Sequence, residues 1–169
     1  MEIDLVLYLP RDVSSVPVSR QVLDGCLKTL GVTPDTRDDI ALALTEACAN
    51  VIQHAGPGEE YEVQVSVGNR KCAIEVVNTS DGDGEAGPRG SRNGTGRPGG
   101  EQAGGFHLAG DPVPATAEHG RGLKIIDAVT DNLQLTGNER QGTVVHFEKK
   151  LEWLPEAAGQ HLFSVDGHG

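Results

Sequence analysis

Residues 79–118 hold 11 of the chain's 23 glycines and four of its nine prolines, with almost no apolar periodicity. Such a composition cannot bury enough apolar surface to offset the entropy of ordering it. Any folded domain must therefore be assembled from the sequence on either side. The glycine-rich stretch is expected to be a long mobile loop rather than a linker, because patterned sequence resumes beyond it. A loop of this length inside one domain is usually functional or disordered. The whole chain, at 169 residues, fits one domain with a proper core.

Upstream of that loop, residues 38–54 (DDIALALTEACANVIQH) predict a single helix, rich in Ala and Leu and free of Gly and Pro. Glu46, Asn50 and His54 fall four residues apart and so share one helical stripe, while Ile40, Leu44 and Ile52 occupy other sides. Two readings of the stripe stay open on spacing. It is a polar face turned to solvent, or it is a site that holds a hydrated cation and a proton acceptor near a phosphate. An Asn oxygen is a hard, neutral ligand suited to Mg²⁺, and a Glu one turn earlier can take a proton from an attacking hydroxyl.

The remaining pattern is regular. Residues 2–9 alternate (Ile3, Leu5, Leu7, Leu9) as a strand ended by Pro10. Residues 13–30 predict a helix whose apolar stripe is Val18, Val22, Leu23, Cys26, Leu27 and Leu30, closed by Gly31. Thr33-Pro34 starts the 38–54 helix, and Gly56-Pro57-Gly58 stops it. Tyr61, Val63, Val65 and Val67, then Ile74 and Val76, predict a hairpin turning at Gly68-Asn69. After the loop, His119-Gly120-Arg121-Gly122-Leu123 leads into a helix to about residue 131. A Gly-x-Gly there is either an ordinary turn or an anion site of bare N–H groups at the positive end of the helix. Leu133 and Leu135 give a short strand, 143–151 a final one, and 155–169 a loose tail.

A net charge of -11 and a pI near 4.8 argue against nucleic acid or an anionic membrane as partner. The first ten residues carry acids where a secretory signal needs bases, and nothing approaches a membrane-spanning apolar run. Cys26, Cys48 and Cys72 lie far apart without C-x-x-C spacing, as expected of reduced core thiols in a cytoplasmic protein.

LALTEACANVIQHA (42–55), HGRGLKIID (119–127) and GTVVHFEKKL (142–151), in this order, resemble the GHKL ATPase superfamily. Within it they look most like the small bacterial anti-sigma factor serine/threonine kinases, and the resemblance covers residues 1–151. It implies an α/β two-layer sandwich: a mixed, largely antiparallel sheet with helices on one face, binding ATP and Mg²⁺ under a lid at 79–118. The tail would be 152–169.

By resemblance Glu46 is the catalytic base and Asn50 the Mg²⁺ ligand. Gly120, Arg121, Gly122 and Leu123 match the second glycine box around the phosphates. Thr143 helps fix the adenine end, and Arg20 contacts partner proteins. In the first glycine box the family has D-x-G-x-G, its Asp reading the adenine amino group. Here Asn78-Thr79-Ser80-Asp81-Gly82 stand in its place, with Asn78 and Gly82 at the matching positions. A shifted reading on Asp81-Gly82-Asp83-Gly84 is the other alignment.

The implied function is sequestration of a sigma factor and phosphorylation of a serine on an anti-anti-sigma (STAS-type) antagonist, in a protein that can pair as a homodimer. The alternative is a partner-binding module of the same fold without kinase activity. A sensor histidine kinase fits poorly, because no phosphoacceptor hairpin precedes the Glu46 helix.

Overall fold

The computed structural model describes residues 2–54, 60–68, 70–79, 120–138 and 142–163. Its first element follows from the alternation at the N-terminus: strand β1 (Ile3–Pro10) turns Ile3, Leu5, Leu7 and Leu9 inward and leaves Val6 and Tyr8 exposed. Two helices follow, α1 (Ser15–Leu30) and α2 (Pro34–His54). Gly31 ends α1 in the left-handed conformation (φ 87°), its N–H donating to Lys28 O and that of Val32 to Leu27 O. This pairing satisfies carbonyls the helix end would otherwise leave open. Pro34 opens α2, where its missing N–H costs nothing.

The buried row of α1 differs from the one expected. Val18 and Val22 are exposed, and Val16, Ser19, Leu23, Leu27 and Leu30 face the core. Ser19 can be buried because its hydroxyl donates to Val16 O at 2.8 Å. A hydropathy stripe does not anticipate that local bond.

Strands β2 (Glu60–Val67) and β3 (Lys71–Thr79) form the expected hairpin, and α3 (Arg121–Val129), β4 (Asn132–Asn138) and β5 (Gly142–Lys150) follow. The strands make one sheet in the order β1-β2-β3-β5-β4, and each of the described pairings is antiparallel. One face carries Tyr61, Val63 and Val65 from β2, Ile74 and Val76 from β3, and Val145 and Phe147 from β5, all buried beneath α1, α2 and α3. Val129 ends α3, and Lys149 secures that end: its ammonium donates to Val129 O at 2.8 Å and to Asp39 of α2 at 2.7 Å.

The loose tail expected from Pro155 is corrected by helix α4 (Ala158–Phe163). Phe163 is buried in the core cluster and its ring centroid lies 5.8 Å from that of Trp153. Trp153 bridges Val32, and Leu154 donates to Gly31 O, so the segment straps the α1–α2 turn. Gly159 permits this, since a Cβ there would fall 2.1 Å from the Trp153 ring. The glycine-rich stretch beyond Thr79 lies outside the described residues.

Candidate nucleotide site

On α2, periodicity sets Glu46 and Asn50 one turn apart, and both are half-buried. The face they share meets α3. A Cβ added at Gly122 would fall 2.9 Å from Glu46 Oε2, so the carboxylate rests against the first turn of α3 and only glycine leaves it room. Gly120 is the N-cap of α3, in extended conformation and without a side-chain cap bond among the described residues. The first amides of α3 therefore face outward from a positive helix end, where an anion is favoured. Arg121 is exposed beside them, while Leu123 is buried and anchors the turn to the core.

The polar atoms nearby are unusual. Asn50 Nδ2 is buried with no hydrogen-bond partner among the described residues. Asn78, only 1% exposed, lacks one at both Oδ1 and Nδ2. Buried amides are normally paired, and exceptions mark places where a ligand or solvent completes the set. Asn78 closes the inward row of β3, after Cys72, Ile74 and Val76, directly across from Tyr61 of β2. Tyr61 is no partner for it, because its hydroxyl is shared with Ser15 Oγ at 2.8 Å. On the other side Val77 pairs with Val144, so Thr143 is the β5 residue that follows beside Asn78. Gly82 lies outside the described residues, as does the side chain of His54.

Thiol chemistry has no place here. Burial pushes the Cys48 thiol up to about 11 and that of Cys72 to about 12, and it raises Cys26 too. All three stay protonated at neutral pH. Among the described residues, no group of three or more His, Cys, Asp or Glu is arranged to hold a metal ion.

Arg20 does not belong to this cluster. It is exposed on α1 and lines an open groove of about 490 Å³ between α1 and α2, with Gln21, Ala41, Leu42 and Thr45. An ion pair between Arg37 and Asp24 at 2.6 Å lines the same groove. Sequence reasoning missed the groove. Its available signal was Leu42, an apolar residue that the helical pattern leaves on the polar side of α2.

Residues 9–149 match the family model for the histidine kinase-like ATPase domain. Among curated proteins the chain is similar to the serine-protein kinase RsbW of Bacillus velezensis, 33% identical over 46% of this chain and 49% of that protein. Its counterpart in Bacillus subtilis is 31% identical over the same shares. That of Bacillus mycoides is 24% identical over 79% of this chain and 77% of that protein. The chain thus spans about half the length of the more similar relatives. Among solved structures, the RsbU and RsbW domains of a Mycobacterium tuberculosis protein superpose with a TM-score of 0.54 at 13% identity, over 88% of this chain and 32% of theirs. That likeness is one of fold.

Proposed function

The chain belongs to the histidine kinase-like ATPase domain family, and from that membership we propose that it is an anti-sigma factor with serine/threonine kinase activity. It would bind a sigma factor, release it to an anti-anti-sigma antagonist, and phosphorylate that antagonist from ATP in the cytoplasm. The observation that carries this reading is the approach of Glu46 to Gly122 at the start of α3, together with buried amide atoms on Asn50 and Asn78 that have no hydrogen-bond partner among the described residues. The relatives named serine-protein kinase support it.

The residues present fit ATP and Mg²⁺. Asn50 would hold the ion through its side-chain oxygen, the rest of the coordination shell coming from water and phosphate. Mg²⁺, when bound, neutralises charge on the phosphate oxygens. The first amides of α3, with Gly120 and Gly122 giving close approach, would face the phosphates. Asn78 and the start of β5 at Thr143 would meet the base. Glu46 would accept the proton of the antagonist's serine hydroxyl as that oxygen bonds to the γ-phosphorus and ADP leaves. Arg20, in its groove, would meet protein partners.

One observation favours the alternative of a binding module without phosphoryl transfer: Asn78 and Ser80 replace the acid and glycine of the first box. The two are separated by incubating the chain and Mg-ATP with each anti-anti-sigma protein of its host, and measuring phosphoserine by mass spectrometry. The kinase reading expects one antagonist to be modified, and Glu46→Gln to abolish this while still binding nucleotide. Capture of an antagonist without modification supports the binding module instead.

A further inference from the structure

We infer that Asn78 makes the base subsite tolerant of the purine 6-substituent, so that a 6-oxopurine nucleoside triphosphate binds about as well as ATP. The inference rests on the nucleotide-site reading above and adds to it the class of base accepted. Asn78 sits at the end of the inward row of β3, 1% exposed, with neither Oδ1 nor Nδ2 bonded among the described residues. Its cross-strand neighbour Tyr61 commits its hydroxyl to Ser15. The amide therefore presents one donor and one acceptor to whatever fills the site, and a purine 6,1-edge is the complement of that pair.

No hydrogen bond from the described residues fixes the sense of the amide plane. A half-turn about its Cβ–Cγ bond exchanges Oδ1 and Nδ2 without breaking a hydrogen bond to any of them. In one sense Oδ1 accepts from the adenine 6-amino group and Nδ2 donates to N1. In the other, Nδ2 donates to O6 of a 6-oxopurine and Oδ1 accepts from its N1–H. Each base gains the same number of bonds. A carboxylate at this position has no second sense, because both of its oxygens accept: it favours the amino group and repels O6. Asparagine here is a loss of discrimination rather than a loss of binding.

Calorimetric titration of Mg-ATP and Mg-ITP into the full chain, with no protein substrate present, tests this. Hypoxanthine is the apt probe, being a 6-oxopurine without a 2-amino group. The expected dissociation constants agree within about fivefold, less than the worth of one neutral hydrogen bond. Asn78→Asp should move the ratio toward ATP by about tenfold or more. Asn78→Ala, which avoids burying a charge, should weaken both nucleotides by a similar factor. ATP binding with ITP weaker by about fiftyfold or more in the unaltered chain would overturn the inference and leave the site reading intact. A weakening of ATP alone by Asn78→Ala would overturn it too. Binding of neither nucleotide would remove both the inference and the reading beneath it.

Discussion

At Gly122 a single methyl group decides whether Glu46 keeps its place. The site where a Cβ would stand is 2.9 Å from Glu46 Oε2, and the backbone there is ordinary helix. Gly122→Ala should therefore leave stability within about 1 kcal/mol, since helix propensity favours Ala by roughly that amount. On the kinase reading it should lower phosphoryl transfer by about 10- to 100-fold by displacing the carboxylate, with nucleotide affinity little changed. Parallel thermal unfolding and single-turnover phosphorylation read both quantities. A second residue-scale prediction concerns acid. Lys71 donates to Glu148 at 2.6 Å, and this bond, chiefly, holds the Glu148 carboxyl below its usual 4.5. A carboxyl depressed in the folded state adds stability that is complete above the unfolded value and is lost as pH falls through the folded one. Lys71→Met should thus shallow the fall in stability below about pH 4.5, and leave neutral stability nearly unchanged because Lys71 is exposed. Denaturant melts from pH 3 to 7 would show it. The shared face of Glu46 and Asn50 was legible in the sequence because a helix converts spacing directly into direction. That the Asn78 amide has no partner among the described residues was not, because strand alternation tells which face a side chain takes and not what its polar atoms meet.

Between elements, a few polar staples hold the helices over the sheet. Lys149 extends the inward row of Val145 and Phe147 on β5 and reaches both the Val129 carbonyl at the end of α3 and Asp39 of α2. A cation at a helix C-terminus is favourable, and a half-buried donor to a carbonyl more so. Lys149→Met should lower stability by about 1–2 kcal/mol. Asp39→Asn should cost less, since its carboxylate is half exposed. Unfolding in urea distinguishes them. Helix α4 is the other fastening. Phe163→Ala should cost about 3 kcal/mol, as for a buried aromatic, and a near-neutral result would mean that Phe163 adds little to the core. The strands and α2 were legible because each repeats its period several times. Helix α4 offers one buried Phe and one glycine, Gly159, packed against Trp153, which gives no period to detect.

For the molecule as a whole, the residue pattern marked the alternating strands and the helical stripes, while the two-layer sandwich itself was implied by the family resemblance. What the pattern could not show was how the two halves meet. Glu46 and Gly122 are 76 positions apart, and their approach comes from α3 packing on α2 after the glycine-rich stretch. The groove holding Arg20 arises in the same way, from two helices lying side by side. The most direct test of the nucleotide site is thermal unfolding of the unaltered chain and of Asn50→Ala, with ATP present and with Mg²⁺ or a chelator. The expected result is that Mg-ATP at about a hundred times its dissociation constant adds about 2.7 kcal/mol to the unaltered chain. Much of that gain should vanish with chelator, and Asn50→Ala should lack the magnesium-dependent part. Unfolding of the unaltered chain that is indifferent to millimolar Mg-ATP would contradict the site.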